Sequence, residues 1–192
     1  MKRVVDWVSS AYEDIQNLHA TWRFLRRDFS FSTIASSQDY TPAAVSLTDF
    51  AHWIKNDLRI YSAVSDEDFL EYYPWEIFRK AYYFGSNRTQ TGRPTVVTVK
   101  PNNALALWQI SDGVYTVNGE YYKSAQAMSA NADIPVIPTR FQMIVIWKGL
   151  MHYGAYAGAD EKYAHGSNEY KKLLSMLEYA ELEDTTYGEP LA

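Results

Sequence analysis

The sequence predicts an α+β fold: a helical bundle built from both chain ends, with an antiparallel β-rich region inserted between them. Three observations carry this. Apolar residues recur at helical spacing from Val4 to Trp22, and again from Phe141 to Leu177. Between those stretches the period shortens to two, as where Phe29 and Phe31 alternate with Ser30 and Ser32. Turn signals punctuate the middle, Asp112-Gly113 being of the kind that closes a hairpin. The expected organisation is a bundle from 1–28 and 138–182, an inserted β-rich region with short helices over 29–137, and a flexible acidic tail over 183–192.

The first helix places Val4, Val8, Ala11, Ile15, Leu18 and Trp22 on one stripe, with Asp6, Glu13, Asp14, Gln16 and Asn17 mostly on other faces. Arg23, Arg26 and Arg27 close it, favourably placed beside the negative end of a helix dipole. A strand through Phe29 and Phe31 follows, then a polar turn over Ser36-Ser37-Gln38-Asp39, and a short strand around Ala43 to Leu47. The run from Phe50 to Tyr61 is ambiguous, but its second half, Asp57 to Tyr61, alternates like a strand. Ser65 followed by Asp66-Glu67-Asp68 reads as a helix start. An aromatic helical region should run from there, split at Pro74 and ended by Gly85. Residues 86–94 form an exposed loop, followed by strands over Thr95–Val99, Ala104–Ile110 and Val114–Ser124, the last interrupted or bulged near Asn118-Gly119.

An extended linker, Asp133 to Pro138, leads into a helix begun by Pro138. Phe141, Ile144, Val145, Lys148 and Met151 trace one side of it. Met143, Ile146, Trp147, Leu150 and Tyr153 widen the apolar arc, which implies packing on more than one neighbour. Gly154 and Gly158 allow close approach or a break. A final helix runs from about Asp160 to Leu182, with Tyr163, Tyr170, Leu173, Leu174 and Leu177 inward. The scaffold residues of the bundle are thus Val8, Ile15, Leu18, Phe141, Ile144, Trp147, Leu173 and Leu177.

Composition narrows the function. The chain has 192 residues, 47% of them hydrophobic, enough for a real core. Its formal net charge of -5 argues against an independent nucleic-acid-binding module, which is built on phosphate contacts. With no cysteine there is no disulfide, thiolate metal site or cysteine nucleophile. Asp6, Glu13 and Asp14 interrupt any signal-peptide-like stretch, and Met143 to Gly149 is too short to cross a bilayer, so no membrane partner is expected. The 16 Tyr, 8 Phe and 6 Trp suit a core, or a surface on which another protein packs.

Motifs for chemistry are sparse. His19, His52, His152 and His165 have no metal-ligand spacing, and Asp66-Glu67-Asp68 is better explained as a helix N-terminus than as a cation site. Gly92-Arg93-Pro94 lacks the glycines, lysine and hydroxyl of a phosphate loop, and no serine sits in a nucleophile elbow. The expectation is a protein without catalytic residues, metal or cofactor. Two charge features stand out instead. Arg23, Arg26 and Arg27 form either a solvated helix end or an interface to acidic protein. From Glu178 onward, Glu178, Glu181, Glu183, Asp184 and Glu189 occur with no Lys or Arg. That segment reads as a solvated terminus, or as an arm ordering on a neighbouring subunit through Tyr187 and Leu191.

The opening Val4-Val5-Asp6-Trp7-Val8-Ser9-Ser10-Ala11-Tyr12-Glu13-Asp14-Ile15-Gln16 leads into Trp22-Arg23-Phe24-Leu25. A β-rich middle carrying Gly92-Arg93-Pro94 then ends near Gly119-Glu120-Tyr121-Tyr122, before Ile134-Pro135-Val136-Ile137-Pro138-Thr139-Arg140-Phe141 and a long helix. In that order, over about residues 4–180, these segments resemble the head–tail adaptor (connector) proteins of tailed bacteriophages, the group that includes tail-tubular adaptors. Members often carry a further stretch before the first helix; a different start codon or a shorter variant would account for the difference.

The resemblance implies a ring of about twelve copies docked beneath the phage portal protein, with a channel for DNA and a lower face for the tail or a head-completion protein. The location it implies is the head–tail interface of the virion. It points to Trp22, Arg23, Arg26, Arg27, Glu178, Glu181, Asp184, Tyr187 and Leu191 for portal or subunit contact. Asn87, Arg88, Gln90 and Arg93 fall on the loop expected to face the channel or tail. Competing expectations are a tail-completion or terminator ring, a small enzyme with dispersed catalytic residues, and a monomeric host binding module.

Overall fold

The computed structural model describes residues 4–130 and 132–182. It is an α+β protein in two compact units, one formed by the two chain ends, 1–26 and 125–192, and the other by the inserted region 27–124. Helices α1 (Val4–Leu18), α3 (Met143–Ala157) and α4 (Asp160–Glu181) make the first unit. The division places the segment 125–137 with the helices rather than with the sheets.

Helix α1 ends at Leu18, one turn earlier than its apolar stripe suggests. The chain turns at Ala20-Thr21, and Trp22 folds back to donate its indole N–H to the Ile15 carbonyl at 3.0 Å. One of the carbonyls that a helix end leaves unpaired is thereby satisfied. Arg23 therefore sits on a 3₁₀ turn, and Arg26 and Arg27 begin a strand instead of closing the helix. The buried face of α1 is Ala11, Tyr12, Ile15 and Gln16, whereas Leu18, expected in the scaffold, is 46% exposed.

Tyr12 and Gln16 hold the returning chain. Gln16 donates to the carbonyl of Gln126 (2.9 Å) and accepts the N–H of Gln126 (2.9 Å). The Tyr12 hydroxyl accepts the Val136 N–H at 2.8 Å. From Pro138 a 3₁₀ turn runs into α3, which ends at Gly158 in the left-handed conformation. Helix α4 then packs antiparallel on α3. A Cβ at Gly154 would lie 2.7 Å from the Tyr163 backbone nitrogen, and one at Gly166 would lie 3.0 Å from the Trp147 carbonyl oxygen. Only glycine permits that approach. Phe141, Ile144 and Leu177 are buried, and Val8, Trp147 and Leu173 are half-buried.

The inserted unit holds β1 (Arg26–Ser32), β2 (Asp39–Tyr40), β3 (Phe50–Trp53), β4 (Arg59–Tyr61), β5 (Asp68–Phe69) and β6 (Glu71–Tyr72), followed by helix α2 (Trp75–Ala81). Strands β7 (Thr91–Gly92), β8 (Val96–Val99), β9 (Leu105–Trp108), β10 (Ile110–Ser111) and β11 (Thr116–Lys123) complete it. Long β11 pairs β4 through Thr116–Asn118 and β3 through Tyr121–Lys123, with β1 and β5 in the same sheet. A second sheet runs β2-β9-β8-β6. The β6–β8 and β7–β10 pairs are parallel, so the region is mixed rather than purely antiparallel. Phe29, Trp53, Leu58, Ile60, Leu105 and Leu107 form its core.

Three local expectations fail here. Residues 43–47 are a turn, closed by Leu47 N–H to the Pro42 carbonyl (2.9 Å) and capped by the Thr41 hydroxyl. No helix starts at Ser65, because the Asp66 carboxylate instead accepts the N–H groups of Ser62 (3.0 Å) and Ala63 (2.8 Å), closing a turn. The aromatic run that follows splits into β5, β6 and, after Pro74, α2. Strand β11 passes unbroken through Asn118-Gly119, and its register shifts at Tyr122/Lys123. Glycine at 119 answers crowding, since a Cβ there would lie 2.6 Å from Leu58 Cδ2.

Gln16→Ala should lower the stability of the chain by about 2 kcal/mol, because it removes both partners of the half-buried Gln126 backbone groups. Urea denaturation followed by circular dichroism measures this, with Asn17→Ala on the exposed face as the near-neutral reference.

Candidate interaction surfaces

Among the described residues, the helical unit leaves apolar surface uncovered in two places. Between α1 and α3 lies a groove of about 340 Å³ lined by Val4, Trp7, Val8, Ile146, Leu150 and Tyr153. Trp7 meets Tyr153 edge-on (5.3 Å between centroids) and Tyr156 at 5.4 Å, so the rim is aromatic. Val4, Ile146 and Tyr153 are exposed, as are Met143 and Tyr156 beside them. The broad apolar arc of α3 is thus only partly covered by the described residues.

The second place is the outer face of α4. Tyr179 is 90% exposed there, and Met176 and Ser175 lie beside it. They border a groove with Arg140 and Phe141, in which the Arg140 guanidinium stacks over the Phe141 ring at 4.5 Å. These two faces were not singled out from the sequence. Their apolar periodicity is the same signal that marks a core.

The residues expected at a portal or subunit contact separate. Trp22 is fully buried against Phe24 and His19, and offers no surface. Arg23 is exposed. Arg26 and Arg27 are consecutive in β1, so their side chains leave opposite faces of the strand. Glu178 is bonded at 2.8 Å to His19, tying α4 to the end of α1. Glu181 is half-buried at the last turn of α4, and Asp184, Tyr187 and Leu191 lie outside the described residues.

The loop over 85–93 is built rather than loose. Asn87 donates to the Ala81 carbonyl (2.9 Å), and its own carbonyl accepts the Trp108 indole N–H (3.0 Å). Arg88 lies over the Tyr83 ring at 4.9 Å, and Gln90 donates to Asn87. Arg93 points inward. Its guanidinium reaches the Ile60 carbonyl (3.0 Å), the Asp66 carbonyl and the Asp66 carboxylate (3.4 Å). Asn87, Arg88 and Gln90 therefore present a shaped surface, and Arg93 is the clip beneath it.

The shifted titrating groups serve structure. The Ser62 hydroxyl and the Ala63 N–H hold Asp66 below the usual carboxylate range, with Arg93 adding to the effect. Backbone N–H groups of Ala130 and Ser129 do the same for Asp133. Burial and the Asp49 carboxylate push Tyr121 up to about 12, and a hydrogen bond to Glu71 takes Tyr73 to about 12. Burial, with Lys55 nearby, lowers His52, which stacks on Tyr122. Among the described residues no group of three or more His, Asp and Glu converges to hold a metal ion. No helix among them is long and apolar enough to cross a membrane.

The family model described as SU10 adaptor protein matches residues 2–191. The chain belongs to that phage adaptor family, which makes it a structural component of a virion. No curated protein matches it.

The Asp66 clip has a defined pH response. A carboxyl held below its unfolded pKa stabilises the fold above that unfolded value, and the contribution is lost as pH falls through the lower, folded value. The protection of the Ser62 and Ala63 amides, each referred to its intrinsic exchange rate at the same pH, should accordingly persist through the normal carboxylate range and fall only in stronger acid. Asp66→Asn should lower it already at neutral pH, which exchange measured by NMR would register.

Proposed function

We propose that this member of the phage adaptor family forms a ring of about twelve copies between the portal protein and the tail. The ring encloses the channel through which the genome leaves on ejection. The family match over residues 2–191 carries the reading. The apolar faces left open on the helical unit support it, because a subunit that assembles needs such faces and an isolated domain does not.

The formal net charge of -5 suits the channel. DNA must pass without being held, and a wall of negative sign repels phosphates where a basic one would grip them. We assign Arg23 and Arg27, with the C-terminal residues Asp184, Tyr187 and Leu191, to the portal side. The loop surface of Asn87, Arg88 and Gln90 is assigned to the lumen or to the tail-side partner, which is the tail itself or a head-completion protein.

Mixing the purified chain with the portal protein of the same phage should add about twelve copies per portal ring, read by mass photometry or native mass spectrometry. A chain that stays monomeric and unbound at high concentration rejects the reading. A six-membered ring with no portal affinity moves the assignment to the tail-completion class.

A further inference from the structure

We propose that the basic corner at the carboxyl ends of α1 and α4, formed by Arg23 and Arg26, receives the acidic pair Glu183-Asp184 that follows α4 in the same chain. The contact belongs to the single chain and goes beyond the ring reading, on which it does not depend.

Helix direction brings the two segments to one place. Trp7, early in α1, meets Tyr153 and Tyr156, late in α3. Gly154, also late in α3, lies against Tyr163, early in α4. Helices α1 and α4 therefore run the same way, each antiparallel to α3. Their carboxyl ends meet where His19 is bonded to Glu178 at 2.8 Å. From there one segment leaves α1 through Trp22, which packs edge-on against His19, into Arg23. The other leaves α4 at Leu182 in extended backbone (φ -89°, ψ 148°), so it runs onward rather than turning back along the helix. Leu182 lies one turn, about 6 Å, past Glu178, and Arg23 is four residues past its partner His19, so both segments start within reach of long charged side chains.

The field at this end decides what settles there. Two helix carboxyl ends, each the negative end of a dipole, lie together. Neither last turn carries a basic residue, and Glu178 and Glu181 add charge of the same sign. Residues 183–192 bring Glu183, Asp184 and Glu189 and no Lys or Arg. Acids in that field are repelled unless cations answer them. Arg23 is exposed and has no ion pair among the described residues, and Arg26 is half-buried three residues on. Arg140, another exposed cation near the end of α4, fits less well. It lies over the Phe141 ring at 4.5 Å, in a groove that runs back along α4 past Ser175. Reaching it requires the reversal that Leu182 does not make.

The chain has no cysteine, so an introduced pair reports one contact. Thr21→Cys with Thr185→Cys sets one thiol beside Arg23 and the other beside Asp184. Thr139→Cys with Thr185→Cys, next to Arg140, is the reference. Under mild oxidation the first pair should close within the monomer about fivefold faster, which is what two partly exposed ion pairs supply. The advantage should vanish in about 1 M salt, where the Debye length falls to about 3 Å. It should also vanish with Arg23→Gln/Arg26→Gln and with Glu183→Gln/Asp184→Asn, and survive Arg140→Gln. The acidic variant alters only residues outside the described ones, so it decides even where the arginine variant fails to fold by circular dichroism. Equal rates for the two pairs, or an advantage that persists in salt, overturn the proposal. Disulfide-linked dimers that replace the closed monomer and rise with protein concentration also overturn it, because the segment then sits on another copy. The portal protein takes no part in the measurement, so failure here leaves the adaptor reading untouched.

Discussion

The buried amide of Gln16 is the constraint on which the chain's organisation depends. It donates to the Gln126 carbonyl and accepts from the Gln126 N–H, so both its polar ends reach one backbone residue 110 positions away, while its NH2 also donates to the Tyr12 carbonyl. Ser9 and Tyr12, on the same side of α1, add bonds to Met128 and Val136. These contacts return the chain to its starting helix after the inserted unit. Closing so long a loop costs entropy that grows only slowly with its length. The insertion forms its own core around Phe29, Trp53, Leu105 and Leu107. A hydrophobic residue at 16 could pack, but it could not align the two segments, because only paired hydrogen bonds fix the register of a backbone that lacks a sheet or helix of its own.

Glycine then decides which helix faces stay open. At Gly154 and Gly166 the α3 and α4 backbones approach closely enough that any Cβ would collide. With α4 drawn flat against one side of α3 and α1 held against another, the side of α3 bearing Met143, Ile146 and Tyr153 is only partly covered among the described residues, Trp7 meeting Tyr153 at its edge. The exposed faces are consequences of close packing elsewhere.

Much of this was legible from residue order. Pro138, Gly158 and Asp160 mark the ends of α3 and α4 because each acts through its own backbone or cap, independent of distant contacts. What misled were positions where a distant contact outweighed a local preference. Asp66 looks like a helix-starting acid, but Arg93, 27 residues later, and the Ser62 turn claim it. Trp22 continues the stripe of α1 by spacing, yet its indole caps the helix that it seemed to extend. The groove was hidden for another reason. Periodicity reports that Ile146 and Tyr153 avoid water, and it is silent on whether the same chain or another supplies the cover.

The inserted unit bears on how a wall could pass DNA. Its loop offers two arginines that, from sequence, could reach a phosphate. In the fold Arg93 is neutralised by the carboxylate and two carbonyls that enclose it, and Arg88 is drawn over the Tyr83 ring and toward the Tyr83 carbonyl. Lys100, another cation of this unit, sits between Trp75 and Tyr83 and pairs with Asp39. The unit thus uses these cations to hold its own loops. A cation so held cannot extend toward a passing strand without giving up bonds that the loop uses. Were this loop surface to line the proposed channel, its charge would already be answered within the fold where a polyanion must pass without being retained.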